Sequence, residues 1–337
     1  MKKIAIAVDA MGGDFAPGEV VKGCIIAAQD APHVDIILLG LHDILKTELE
    51  KHVAPDTVKV EAASDVINMD EEPAWAIRNK HQSTIVVGNK MVREGRAQAF
   101  VSAGNTGAVV AAAILIMGRI KGISRPGIMV RFPMRNRDVY LIDAGANSEC
   151  KPENLLEFAI VANSYLSSVI KIENPSVGLL SIGEERSKGN DLIKDTYQLL
   201  ERAKLNFYGN VEGKDIPLGT TDIVVCDGYT GNIALKLSES LAMEFVTELK
   251  ALASSSLLAK FGGLLLKSGL EKMRKRIDAE EYGGMLLLGV NGVCVISHGR
   301  SSSKAIRNAI LQAISAVEGG VVAKINEDLK GKPYLYV

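Results

Sequence analysis

The sequence has almost no net charge, few cysteines and no long apolar run, and each shortage excludes a class of protein. Formal net charge is −1, so the chain carries no bulk electrostatic pull toward nucleic acid, and only local patches are left to consider. The four cysteines, Cys24, Cys150, Cys226 and Cys294, form no CxxC pair and no zinc-ligand spacing. Sparse, scattered thiols fit a reducing cytoplasm. No stretch approaches the roughly 18 unbroken apolar residues of a membrane span, and the run "AVVAAAILIM" at 108–117 is too short. The start, "MKKIAIAVDAMGGD", has a short apolar run that ends in acids, which reads as a first strand rather than a secretion signal. There is no Ser/Pro-rich linker, no low-complexity tract and no fixed-period repeat.

What is present is a long alternation of apolar runs and helical patterns over 337 residues, 47% of them hydrophobic. Strands are expected at 4–8, 34–40, 57–62, 99–104, 139–145, 177–183, 205–210, 222–228 and 292–299. Helices are expected at 17–30, 41–51, 73–80, 83–94, 105–117, from 152 onward, at 190–203, 230–253 and 302–328. Near-continuous apolar strands in β-loop-α order predict an α/β fold, with a mostly parallel sheet and helices on both faces. The length suits one unit of two interdigitated lobes, and no boundary is marked.

The loops after the strands are unusual as a set: "DAMGGD" 9–14, "SAGNTGA" 102–108, "DAGAN" 143–147, "SIGEE" 181–185, "DGYTGN" 227–232 and "SHG" 297–299. Glycine permits close backbone approach, and helix N-termini present N–H groups to anions. Any single loop reads equally as a turn or a helix cap. Six together predict a shared ligand cleft at the carboxyl ends of the strands, to which Asp9, Gly12, Gly13, Asp14, Asp143, Asn147, Glu184 and Asn190 contribute.

The ordered set "VDAMGGDFAP", "SAGNTGA", "DAGAN", "VGLLSIGEE", "VVCDGYTGN" and "GVNG…ISHG" resembles the bacterial phosphate acyltransferases of phospholipid synthesis (the PlsX type), from about residue 4 to about residue 328. The resemblance implies acyl transfer from acyl-carrier protein to inorganic phosphate. It also implies a homodimer, cytoplasmic and peripherally associated with the membrane surface. The fold is then similar to isocitrate and isopropylmalate dehydrogenases and to phosphotransacetylase. The acyl-phosphate product implies a membrane glycerol-phosphate acyltransferase as a further partner. No cofactor and no metal are assigned.

On that reading Ser102, Gly104, Asn105, Thr106, Gly107, Gly228 and Gly231 are the phosphate-binding candidates. Lys188, Asn232, Thr230, Asp227 and His298 are the catalytic ones. Lys188, in "EERSKGND", supplies the cation that the Ser102–Gly107 turn lacks. His298 is a candidate acid–base group. Cys226, in "IVVC", reads as a core thiol. Residues 119–137, with six basic residues and no acid, suit docking of an acidic carrier.

In 254–277, Leu257, Leu258, Phe261, Leu264 and Leu265 fill one arc of a helical wheel, with Lys260 and Lys267 beside it. Leu270, Met273 and Ile277 point the other way, so a break is expected near Ser268-Gly269 and the segment reads as a membrane or dimer contact. Three rivals stand beside the main reading. They are a phosphotransacetylase-like enzyme using acyl-CoA, a β-decarboxylating dehydrogenase of similar fold, and a non-enzymatic binding module. The dehydrogenase needs an arginine-rich clamp and a Tyr/Lys pair, which this sequence does not assemble.

Overall fold

The computed structural model describes residues 3–135 and 137–330, apart from the side chains of Leu257, Ile277 and Ala279; the part of the wheel reading that uses Leu257 and Ile277 lies outside these described residues. The strands are β1 Ile4–Asp9, β2 Val34–Gly40, β3 Val58–Ala62, β4 Ala99–Ser102, β5 Gly127–Pro133, β6 Asp138–Ile142, β7 Ser176–Leu180, β8 Asn206–Val211, β9 Ile223–Val225, β10 Met285–Leu288 and β11 Val293–Ile296. Among the described residues they form one eleven-stranded sheet in the order β3-β2-β1-β4-β11-β10-β5-β6-β9-β7-β8.

Side chains alternate across it as a period of two requires. Ile6 and Val8 pack into one apolar layer, while Ala5 and Ala7 pack into the other. Helices Gly18–Asp30, Pro152–Tyr165 and Ser303–Glu318 supply the first layer; Thr84–Arg93 and Thr106–Ala112 supply the second. Burial on both faces is why these strands read as unbroken apolar runs.

The two strands that sequence patterning does not anticipate, β5 and β10, decide the geometry. β11 pairs with β10, β10 with β5, and β5 with β6, each time antiparallel. Direction therefore reverses three times between β11 and β6. The set β1, β2, β3, β4 and β11 is internally parallel. The set β6, β7, β8 and β9 is also internally parallel, but it runs the opposite way. The sheet is thus two parallel lobes joined by an antiparallel seam, and their carboxyl ends leave opposite edges.

Two further expectations are corrected. The final helix is not continuous over 302–328; it stops at Glu318, and Val321–Leu329 restarts after Gly320 at φ +65°. Leu257–Ile277 has no break near Ser268-Gly269; it is one 21-residue helix. It lies against the 27-residue helix Gly228–Ser254, and a Cβ on Gly263 would come within 3.2 Å of the Ala253 Cβ. No kink is forced because the apolar arc is not matched to a single wall. Leu258 is 86% exposed and Phe261 65%.

Candidate active site

The first edge gathers the loops after β1, β4 and β11. Asp9 ends β1 and is buried. Its Oδ2 accepts the Ser102 hydroxyl at 2.7 Å and its Oδ1 accepts the Met11 N–H at 3.2 Å. The Ser102 Oγ in turn accepts the Gly104 N–H at 3.0 Å. Burial pushes the Asp9 carboxyl above its ordinary range, against the lowering effect of these hydrogen bonds.

Glycine is required at position 12. A Cβ there would sit 2.5 Å from Asp9 Oδ2 and 2.7 Å from the Gly104 nitrogen. Gly13 follows at φ +100°, and the Asp14 N–H donates to the Gly299 carbonyl at 2.7 Å, locking the first loop to the last. On the far side of that lock the exposed His298 accepts the Arg300 N–H on Nδ1 at 3.2 Å. The Arg300 guanidinium stands 3.9 Å from the Asp14 carboxylate.

Asn105 does structural work at this edge. Its Oδ1 caps the helix by accepting the Ala108 N–H at 3.0 Å. Its amide donates to the carbonyls of Asn68, Met69 and Glu71. Thr106 and Gly107 are exposed at the first turn, where backbone N–H groups lack intrahelical acceptors.

The second edge gathers the loops after β6, β7 and β9. Asp143 is buried and is its organiser. Oδ1 accepts the N–H groups of Ile128, Gly145 and Ala146, and Oδ2 accepts the backbone and side-chain N–H of Asn147, both at 2.8 Å. Desolvation still leaves its carboxyl raised. The Gly228 N–H donates to the Asn147 carbonyl at 2.9 Å. Asp227 caps the following helix, taking the Thr230 N–H at 2.9 Å and its hydroxyl at 2.7 Å. Gly231 lies so close to the Asp143 carbonyl that a Cβ there would come within 1.9 Å of it.

Beside these turns is a depression of about 400 Å³, walled by Gly145, Ser148, Gly228, Tyr229, Asn232, Ile233 and Lys236. Lys188 is exposed on the neighbouring loop, its stem folded over Gly183. In the same loop Asn190 caps a helix through the Ile193 N–H at 3.0 Å, and Glu184 pairs with Lys214 at 3.0 Å. Cys226 is buried, and desolvation raises its thiol well above the ordinary value, as befits a core group.

The expectation of one cleft shared by all six loops is therefore not met within a single chain. Asp9, Gly12, Gly13, Asp14, Ser102, Gly104, Asn105, Thr106, Gly107 and His298 meet at the first edge. Asp143, Asn147, Asp227, Gly228, Thr230, Gly231 and Asn232 meet at the second, and the loop carrying Glu184, Lys188 and Asn190 follows β7 at that same edge. The reason is the seam of β5 and β10. The same seam divides the basic stretch 119–137. Arg119 donates to the Ser124 carbonyl before β5. After β5 begins, Arg131 pairs with Asp138 at 2.6 Å and lies over the Tyr282 ring, and Arg137 holds Asp222 at 2.9 Å.

Two cations at the edges escape motif reading. Arg300 sits two residues past His298 in a glycine-containing strand-end loop. Lys236 follows Gly228 and Asn232 at four-residue spacing, which places all three on one helical face; that spacing was the available signal.

The chain is 47% identical over 325 residues to the phosphate acyltransferase of Desulfitobacterium hafniense (strain DSM 10664 / DCB-2), covering 96% of this chain and 97% of that one. It is 48% identical over 329 residues to the phosphate acyltransferase of Heliobacterium modesticaldum, covering 97% and 98%. Among solved structures, a phosphotransacetylase from Streptococcus pyogenes superposes with a TM-score of 0.62 at 18% identity, covering 94% of this chain and 95% of that one. A 4-hydroxythreonine-4-phosphate dehydrogenase from Burkholderia phymatum superposes at 0.50 with 14% identity, covering 97% and 98%. These two share the fold. The sequence pattern of one family matches residues 4–324, both edges included, and the chain belongs to that family, described as fatty acid synthesis protein.

Proposed function

We propose that the protein moves a fatty acyl group from an acyl-carrier-protein thioester to inorganic phosphate, yielding acyl phosphate and free carrier thiol. The near-full-length relationship to phosphate acyltransferases carries this reading. The chemistry asks little covalent help. A phosphate oxygen attacks the thioester carbonyl carbon, the tetrahedral intermediate collapses, and the carbon–sulfur bond breaks. The thiolate leaves and takes the proton that phosphate gives up. A thiol of ordinary pKa near 8.5 leaves readily, so positioning and charge stabilisation carry most of the rate. Arg300 and the first-turn N–H groups of Thr106 and Gly107 are the phosphate contacts, with His298 alongside as the proton carrier. Lys188, Asn232 and Lys236 at the second edge face the thioester and its carrier. Carrier thiol release with and without phosphate tests the reading. Equal turnover with acyl-CoA in place of the carrier would favour the phosphotransacetylase-like alternative.

We further propose a homodimer, a reading that the two opposite edges support. A second copy is the simplest means of bringing the second edge to the first, so each site would draw on both chains. Arg300→Ala, and Asn232→Ala combined with Lys236→Ala, should each leave on the order of 1% activity. Mixed in equal amounts and allowed to exchange subunits, the two should recover about a quarter of wild-type turnover, because about half the dimers are mixed and one of their two sites is intact. No recovery despite demonstrated exchange rejects a shared site.

The paired helices Gly228–Ser254 and Leu257–Ile277 expose Leu258, Phe261, Leu264 and Leu265 beside Lys260 and Lys267. This composition fits an anionic membrane surface, where a membrane glycerol-phosphate acyltransferase would receive the product. Among the described residues no helix is long and apolar enough to cross a membrane. Leu258→Glu with Phe261→Glu should abolish co-sedimentation with anionic vesicles; unchanged sedimentation removes the membrane role.

A further inference from the structure

Three large apolar side chains stand in the open around the first edge: Phe15 is 55% exposed, Met69 50% and Trp75 55%. Single exposed apolar residues need no explanation. Phe15 and Met69 belong to segments that flank one glycine, and Trp75 lies on a helix packed against the adjoining turn. The Met69 methyl lies 3.2 Å, and the Asp14 carboxylate 3.6 Å, from the point where a Cβ on Gly299 would stand. Met69 and the loop carrying Asp14 and Phe15 thus flank the same glycine. The Met69 carbonyl, with those of Asn68 and Glu71, is held by the Asn105 amide. The helix Pro73–Asn79 abuts the turn, since a Cβ on Gly107 would come within 2.6 Å of the Pro73 ring. Glu72 caps that helix through the N–H groups of Ala74 at 3.0 Å and Trp75 at 2.6 Å. Asn105 and Glu72 therefore hold the backbone of Met69 and of Trp75 at defined places beside the Gly104–Gly107 turn. Folding alone gains nothing from holding the chain's one tryptophan in water.

We infer that Phe15, Met69 and Trp75 form the rim that receives the hydrocarbon chain of the acyl group, and that this rim sets the enzyme's preference for chain length. Juxtaposition identifies the occupant. An acyl phosphate joins an anionic head directly to an apolar tail, and the edge sets the exposed Arg300 guanidinium beside an apolar rim. The inference rests on the acyl-transfer reading and deepens it. Asn105 is a positioning residue here, acting through the Asn68–Glu71 loop.

Trp75 is its own reporter. Hexadecylphosphonate, a stable head-and-tail probe, should shift Trp75 emission to the blue at saturation, and butylphosphonate should not. In turnover, Met69→Ala with Trp75→Ala should lower the ratio of kcat/KM for sixteen-carbon over four-carbon acyl carriers about 10- to 100-fold, the scale expected for burying such side chains. Phe15→Ala should lower it in the same direction. Equal losses at both chain lengths, or an unshifted Trp75 emission with bound hexadecylphosphonate, overturn the assignment. Dissociation of the protein by Trp75→Glu, read by sedimentation, would show instead that a second copy covers the rim. Failure of the acyl-transfer reading itself looks different: no chain length is turned over, and the fluorescence titration alone then decides the rim.

Discussion

Gly231→Ala is expected to reduce turnover about 100-fold or more and to destabilise the chain by about 3 kcal/mol. Ordinary helix propensity predicts the opposite sign, since alanine gains roughly 1 kcal/mol over glycine inside a helix. Here the new methyl meets the Asp143 carbonyl at 1.9 Å and the Cys226 sulfur at 2.9 Å. The carbonyl is backbone, so neither rotamer change nor a small side-chain shift relieves the clash. Either the helix Gly228–Ser254 lifts from the Asp143–Asn147 loop, or the loop gives up some of the five N–H donors now converging on the Asp143 carboxylate. Each donor lost leaves a buried charge less compensated. Urea denaturation and steady-state turnover check the result. Unchanged or raised stability would show that the close approach at Gly231 is not what joins the two loops.

Arg300→Ala is expected to lower kcat/KM for phosphate about 10²- to 10³-fold, the scale for removing one preorganised charge donor from a reacting oxyanion. Arg300→Lys should recover part of this, because an ammonium keeps the charge but not the two-pronged donor geometry. The rival role is structural, a surface pair with Asp14 at 3.9 Å. Such pairs contribute little, so on that view activity stays near wild type and stability barely changes. The two roles separate cleanly in the phosphate dependence: a raised KM for phosphate at constant folding stability supports the first.

Individual loops were readable from sequence because their residues do local work. Asn105, Asn190 and Asp227 cap helices through their own side chains, and short polar residues before an apolar helical run announce that job. Gly12 and Gly231 mark close backbone approaches, which glycine alone permits. How the loops assemble was not readable, and the cause is specific. β5 carries Arg131 and is flanked by other basic residues, so it looks like a charged surface; β10 has four residues and no alternation. Both are antiparallel seam strands, and without them every strand seems to point the same way. A strand's direction is a property of its pairing partners, not of its own composition. The cations followed the same logic. Lys236 sits two turns into a helix and Arg300 beyond a histidine that drew attention first, and only the fold brings them to the edges. The exposed Met69 and Trp75 had no signal at all, since an apolar residue in a short loop or on a short helix ordinarily reads as core.

The central claim is tested most directly by incubating the protein with palmitoyl-acyl-carrier protein while radiolabelled inorganic phosphate is varied, and following both carrier thiol and label carried into the lipid-soluble product. Free carrier thiol and labelled acyl phosphate are expected in equal amounts, both saturating with phosphate, with no thiol released in its absence. Thiol release that ignores phosphate, or release without labelled acyl phosphate, would contradict it.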